Sequence, residues 1–109
     1  MFINLFVYAT NDIEAKNIFD EIINNIQVYI KAKDYIKVEP YWKIEGIYVI
    51  KVRIKLNKKF DKKSRDIFLN SIADKWTEVG NFTDEVIAST TTNGCNYIRK
   101  GVNMINIIF

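Results

Sequence analysis

The feature that most restricts the fold of this chain is an alternating run of side chains near its middle, in residues 47–56. Its apolar members share one side of the run and are Tyr48, Ile50, Val52, Ile54 and Leu56. The opposite side holds Val49, Lys51, Arg53 and Lys55. Because successive side chains of a strand point to opposite faces, a period of two predicts a strand with one buried and one exposed face.

A turn at Glu45 and Gly46 is predicted to join this strand to the apolar segment before it, which gives a β-hairpin over residues 36–56. Glycine adopts a positive φ without steric cost, so a two-residue turn fits there. That turn pairs Trp42 with Val49 and places Trp42 on the same face as the cations. A slip of one residue would move Trp42 to the other face.

The rest of the chain is predicted to form two helices and three or four further strands. Apolar residues at three- and four-residue steps predict helices over 13–33 and 62–79, with N-caps at Asn11 and Asp61 and a stop at Gly80. Asn24 and Asn25 are mediocre helix formers, so an earlier end of the first helix is left open. Alternating segments predict strands at 2–9, 85–91 and 104–109, and a short strand at 96–99 is left open.

This order, β-α-β-β-α-β with one or two extra C-terminal strands, is typical of the ferredoxin-like split βαβ arrangement. It is an α+β fold in which an antiparallel sheet carries both helices on one face. Right-handed crossovers would place the first and third strands at the centre. The 109 residues suit a single domain over the whole chain. A charge at Val52 is predicted to unfold it, and a charge at Val49 is predicted to be tolerated.

The face of the sheet left uncovered has a composition that is typical of binding surfaces. Its aromatic and cationic members are Phe6, Tyr8, Trp42, Lys51, Arg53 and Lys55. Aromatic rings anchor protein interfaces or stack on bases, and cations meet carboxylates or phosphates. Ordinary exposed surface, burial under the C-terminal strands, a second copy of the chain (a homodimer), another protein and nucleic acid all remain open as explanations.

Several kinds of chemistry lack the residues they need. The sequence has no histidine and one cysteine, Cys95. Histidine-based catalysis and histidine metal ligands are therefore excluded, as are an intrachain disulfide and a cysteine-based structural zinc site. The four glycines are isolated and form no phosphate-binding loop. We therefore expect a protein that is not an enzyme and that needs no cofactor and no metal.

Location and charge give milder expectations. No apolar stretch approaches the ~18 residues that cross a bilayer, and no Lys or Arg precedes the first apolar run, as it would in a signal peptide. We expect a soluble cytoplasmic protein without a membrane partner. The net charge of +3 is small, although residues 51–65 hold eight Lys or Arg and one acid. That run suits either a solvated surface or a polyanion site.

Three segments together resemble the small immunity proteins of bacterial polymorphic-toxin and contact-dependent growth inhibition systems. They are TNDIEAKNIFDEI, then EPYWKIEGIYVIKVRIKL followed by a Trp-terminated helix, then EVIASTTTNG. The resemblance spans most of the chain and is one of layout. It implies a non-enzymatic intracellular protein that binds one cognate toxin domain tightly, often a nuclease. Contact residues differ among such proteins, so no site is transferred by motif.

The resemblance implies an immunity protein that occludes the active site or the substrate-binding surface of a toxin domain. Two sets of residues are candidates for the contact. The anchor and steering candidates are Tyr41, Trp42, Lys51, Arg53 and Lys55. The acidic candidates, on the first helix, are Asp12, Glu14, Asp20 and Glu21. The chain departs from one expectation, since inhibitors of basic nucleases tend to be acidic.

The alternative function is an RNA- or single-strand-binding module that uses the open face of the sheet. Its stacking and phosphate-binding candidates are Phe6, Tyr8, Arg53 and Lys55. The third strand lacks the glycine-aromatic pattern of RNA-recognition platforms.

Overall fold

The computed structural model describes residues 1–80 and 84–109, which form an α+β architecture with two α-helices and a six-stranded antiparallel sheet. The strands are β1 (Phe2–Tyr8), β2 (Ile30–Pro40), β3 (Ile47–Leu56), β4 (Thr77–Glu78), β5 (Glu85–Ser89) and β6 (Val102–Ile108). The helices are α1 (Asp12–Ile23) and α2 (Lys62–Ile72), and a 3₁₀ helix at Asn24–Tyr29 joins α1 to β2. The order of strands across the sheet is β2-β3-β1-β6-β5-β4.

The sheet order agrees with the prediction on one side of β1 only. On that side β3 lies between β1 and β2 and is antiparallel to both. On the other side the neighbour of β1 is the last strand, β6, and β5 lies beyond it. The α+β class and the antiparallel sheet are thus confirmed, and the ferredoxin-like order is not. β6 suits a central position because Val102, Ile105 and Ile107 are all almost fully buried.

One apolar core lies between the helices and the sheet. We call the face of the sheet that packs on the helices the inner face, and the opposite one the outer face. The inner face contributes Ile3, Leu5, Val7, Ile50, Val52, Ile54, Val86, Ala88, Ile105 and Ile107. The helices contribute Ala15, Phe19, Ile22, Ile23, Phe68, Leu69 and Ile72. Each buried aliphatic side chain contributes roughly 1.5–3 kcal/mol. The predicted inner side of β3 is therefore confirmed.

Helix α1 begins as predicted and ends early. The Asn11 side chain accepts a hydrogen bond from the Glu14 backbone N–H at 2.8 Å, which caps the first turn. The α-helix stops at Ile23 instead of continuing to residue 33. Asn24 and Asn25 are poor helix formers, and the chain must extend at Ile30 to pair with β3.

Helix α2 also begins at its predicted cap, where Asp61 accepts a hydrogen bond from the Ser64 N–H at 2.9 Å. It ends at Ile72, so the predicted end near Gly80 was wrong. The chain becomes extended at Ala73 and pairs with residues 97–99: the Asp74 N–H donates to the Tyr97 carbonyl at 3.1 Å, and the Arg99 N–H donates to the Ile72 carbonyl at 2.7 Å. The Trp76 indole then covers the end of the helix, since its Nε1–H donates to the carbonyl oxygens of Leu69 at 3.0 Å and Ala73 at 3.2 Å.

The segment before β6 holds a turn rather than a strand. Residues 96–99 contribute only an isolated bridge, between Ile98 and Ala73, so the short strand left open there does not form. A turn precedes it, with Gly94 at a φ of +84°.

The β2–β3 connection differs from its prediction in length and register. It is a loop over residues 41–46, not a two-residue turn. Glu39 pairs with Val49, so Trp42 does not. The period of two on β3 defines its faces, but it carries no information about the number of residues in the loop. Gly46 does adopt the positive φ that its position requires, +83°.

Substitutions on β3 test the assignment of faces. Val52 is fully buried, and we expect Val52→Asp to cost roughly 4 kcal/mol or more, enough to unfold the domain. Val49 lies on the outer face but is only 5% exposed, in a pocket that it lines with Tyr41 and Trp42. We therefore expect Val49→Asp to cost about 1–3 kcal/mol, more than a change at an exposed position but not enough to unfold the domain.

Urea denaturation followed by circular dichroism measures both changes, with Lys55→Asp as the exposed control on the same strand. The control should stay within about 0.5 kcal/mol of the unmodified protein. A larger loss for Val49→Asp than for Val52→Asp would contradict the assignment.

Candidate binding face

The outer face of the sheet brings together most of the residues predicted to bind a partner. Residues directly opposite each other in an antiparallel pair share a face. Phe6 is opposite Val49, and Tyr8 is opposite Ile47. The odd-numbered side of β3, with Lys51, Arg53 and Lys55, therefore points the same way as Phe6 and Tyr8. This common face was predicted from the sequence and is confirmed.

The 41–46 loop adds an exposed tryptophan at one end of this face. The Tyr41 ring packs edge-on against Phe6, with centroids 5.1 Å apart. The Trp42 ring lies 6.4 Å from that of Tyr41 and is 83% exposed, with Lys43 Nζ 5.1 Å from its centroid. Trp42 also lines a pocket of about 140 Å³ together with Lys51. Trp42 thus lies on the predicted face. It does so from the loop, and not as the predicted strand partner of Val49.

Backbone hydrogen bonds fix this loop at both of its ends. The Tyr41 N–H donates to the Ile47 carbonyl at 2.8 Å, and the Ile47 N–H donates to the Ile44 carbonyl at 3.4 Å. The Ala9 N–H, at the end of β1, donates to the Gly46 carbonyl at 3.2 Å. The backbone of the loop that carries Trp42 is therefore ordered before any partner arrives, which reduces the backbone entropy lost on binding.

The cations of β3 form a row without ion pairs. Within the described ranges, Lys51, Arg53 and Lys55 have no salt bridge and no side-chain hydrogen bond. Lys51 is directly opposite Lys37 of β2, a like-charge pair that destabilises a sheet. Glu39 forms a salt bridge with Lys37 at 3.4 Å and leaves Lys51 uncompensated. We call Lys51, Arg53 and Lys55 the cation row.

The centre of the outer face is a polar line between apolar neighbours. Asn4 Nδ2–H donates to Asn106 Oδ1 at 3.0 Å, and Asn106 Nδ2–H donates to Glu85 Oε2 at 2.7 Å. Asn4 Oδ1 is buried and accepts no hydrogen bond from any described residue. The apolar side chains on either side of this line are Phe2, Phe6, Ile87, Met104 and Ile108.

Sequence reasoning missed the contributions of β5 and β6 to this face. Met104, Asn106 and Ile108 alternate with the buried Ile105 and Ile107, so the period of two was readable. The pairing of β6 with β1 was not, because no local feature of the sequence selects β6 over β5 as the neighbour.

The acidic candidates do not join the outer face. Asp12, Glu14, Asp20 and Glu21 all belong to α1 and its exposed side, across the sheet from Trp42. Two of them already have partners within the chain. Glu14 Oε2 accepts a hydrogen bond from Thr10 Oγ1 at 3.0 Å. Asp20 Oδ1 accepts from Lys33 Nζ at 3.2 Å and from the Tyr35 hydroxyl at 2.9 Å.

The contact with Tyr35 explains part of the role of Asp20. Burial raises the pKa of the Tyr35 hydroxyl, and its hydrogen bond to the Asp20 carboxylate raises that pKa further. Lys33 Nζ also lies 5.1 Å from the centroid of the Tyr35 ring. Asp20 therefore helps to hold α1 against β2, a structural role within the fold.

Cys95 has no feature of a reactive thiol. Burial raises the pKa of the Cys95 thiol, and its interaction with Asp74 raises that pKa further. Because the nucleophilic form is the thiolate, a raised pKa lowers its reactivity. Asp74 itself accepts hydrogen bonds from the N–H groups of Asn96 and Tyr97, both at 3.0 Å, which lower its pKa and organise this loop.

Comparisons of the chain with protein-family models, with curated proteins and with solved structures gave no match. Neither helix in residues 1–80 and 84–109 is long and apolar enough to span a membrane. In the same ranges, no group of three or more Cys, Asp or Glu residues is placed to hold a metal ion. The class of protein is therefore inferred from the outer face and from the layout of the sequence.

The Asn4–Asn106 pair offers a test of whether the outer face is optimised for stability. Asn106→Leu should cost about 1–3 kcal/mol, since it leaves the Asn4 amide without its acceptor. The double variant Asn4→Leu, Asn106→Leu should recover the part of that loss that belongs to Asn4, because it removes the Asn4 amide and its unpaired oxygen, while the bond from Asn106 to Glu85 is absent from both variants. Urea denaturation of the two single variants and the double variant gives the interaction energy. A double variant less stable than Asn106→Leu would show that the Asn4 amide stabilises the fold even without its acceptor, and would contradict this prediction.

Proposed function

We propose that this chain is a non-enzymatic binding protein of the immunity type, which neutralises a cognate toxin domain by docking on it through the outer face. The observation that carries the proposal is the 83% exposed Trp42, carried by an ordered loop beside the cation row. Tryptophan and arginine are enriched among the few residues that supply most of the energy of a protein interface. The resemblance of the sequence to immunity proteins points to the same class.

The surroundings of Trp42 also support a protein partner. The outer face has apolar side chains, among them Phe6 and Met104, beside the charged cation row, and apolar patches with a polar rim are typical of protein interfaces. Trp42 contributes little to the packing of the fold, because Tyr41 occupies the space against Phe6. Its exposure is therefore better explained by contact with another molecule.

A remote ferredoxin-like origin is part of the proposal. β1, α1 and β2 form one split βαβ unit, with β3 between its two strands. β4 and β5 can be treated as a hairpin inserted after α2. Without them, β3, α2 and β6 form a second split βαβ unit, with β1 between its two strands. On this interpretation the sheet order differs from the ferredoxin-like order by one insertion.

Co-expression with the product of the adjacent upstream gene tests the proposal. That product alone should arrest bacterial growth, and this chain should restore it. Trp42→Ala should weaken binding about 30-fold or more, since anchor residues contribute ~2 kcal/mol or more. Val28→Ala is the matched control, because Val28 is 80% exposed and lies before β2, away from the outer face. A product that is harmless alone, or equally toxic in the presence of this chain, would rule the function out.

Binding of single-stranded nucleic acid is the second candidate, and it is favoured by the common face of Phe6, Tyr8, Arg53 and Lys55. Two contacts weaken it. The Tyr8 hydroxyl already accepts a hydrogen bond from Asn103 Nδ2 at 2.9 Å, and Tyr41 packs against Phe6. A gel shift with mixed-sequence RNA at about 50 mM salt decides, because phosphate contacts are strongest at low salt. Absence of a shift would remove this candidate.

A further inference from the structure

We propose that the outer face recognises an acidic protein surface, and that the toxin surface it covers lies outside any cleft that binds nucleic acid. This inference rests on the proposed function and specifies its partner. It is carried by the cation row, its like-charged neighbour on β2, and the acids interspersed with it.

The cation row is a strip of positive charge available for contact. Lys51, Arg53 and Lys55 occupy successive outward positions of one strand, so at ~3.3 Å per residue the row is about 13 Å long. Among residues 1–80 and 84–109, none of the three has an ion-pair partner. Trp42 lies near the Lys51 end of the row, in the pocket that both residues line.

The stability of the fold does not explain this arrangement. Lys51 lies directly opposite Lys37, and like charges in that position repel each other. The one acid that forms a salt bridge in this area, Glu39, pairs with Lys37. An acidic partner would reverse the sign of the interaction at Lys51. Arg53 is opposite Asp34 and is matched within the sheet, but Lys51 is better matched to a partner than to the isolated sheet.

The acids on the same face favour a protein over nucleic acid as the partner. Asp34 is directly opposite Arg53, Glu39 is opposite Val49, and Glu85 is opposite Ile108 on β6. These carboxylates would face a phosphate backbone unfavourably, because that backbone is negative along its whole length. A protein surface can place acids against the cation row and leave cations or polar groups against the carboxylates.

A consequence follows for the mode of inhibition. A nuclease needs cations in the cleft that binds its substrate, and these would repel the cation row. The face described here is therefore complementary to an acidic region of the toxin. If the toxin is a nuclease, this chain contacts it beside the cleft and does not imitate nucleic acid within it.

Association rates measured with the purified upstream-gene product test the inference. The variant K51E/R53E/K55E should associate at least tenfold more slowly at about 50 mM salt, and the difference should largely vanish near 500 mM. The control K58E/K59E/K63E changes the net charge equally at exposed positions outside the sheet. Its association rate should change by less than about threefold. The milder variant K51Q/R53Q/K55Q should fall between the two and serves if the reversed variant does not fold.

The possible outcomes distinguish a failure of the acidic-surface inference from a failure of the proposed immunity function. If the unmodified chain protects cells and the two reversed variants associate equally fast or equally slowly, the acidic partner surface is wrong and the immunity function stands. If the unmodified chain binds labelled mixed-sequence RNA and K51E/R53E/K55E does not, the face serves nucleic acid and the inference is overturned. If the unmodified chain gives no protection, the proposed function fails, and the inference falls with it.

Discussion

The constraint on which the structure depends is the division of β3 into an apolar and a cationic side. Val52 and its aliphatic neighbours are closed off by the two helices, at 1% exposure or less. A shift of one residue would bury Lys51 and Arg53 instead, and burying unpaired charges is far more costly than exposing aliphatic side chains. The position of the cation row therefore follows from the packing of the core.

The same constraint extends to the neighbouring strands through the register of the sheet. β1 pairs with β3 so that Asn4 is opposite Lys51, and β6 pairs with β1 so that Asn106 is opposite Asn4. Each inner aliphatic side chain thus directs the next residue of its strand outward. The backbone of the outer face is therefore held by the same strand pairing as the core, and ordered scaffolds present binding groups at a low entropic cost.

Local patterns were sufficient to predict the parts of this fold that depend on neighbours in the sequence. They include the caps at Asn11 and Asp61 and the two sides of β3. The rest depends on contacts between distant residues. α2 ends early because residues 72–74 bond to the distant segment 97–99, and β6 occupies the place beside β1 by long-range pairing. For the candidate site, the common face of Phe6 and the cation row was predictable, whereas the members from β5 and β6 were not.

Trp42 and the cation row would act at different stages of binding. Charges act over about 8–10 Å at physiological salt, so the row influences the rate at which an acidic partner arrives. Trp42 acts only on contact, when its ring leaves water, and so it determines how slowly the complex dissociates. Tyr41 packs on Phe6 and so anchors the loop that carries Trp42. On the proposed function, one strand and one loop would thus provide fast association and slow dissociation, the two requirements for an inhibitor that must act before its target does.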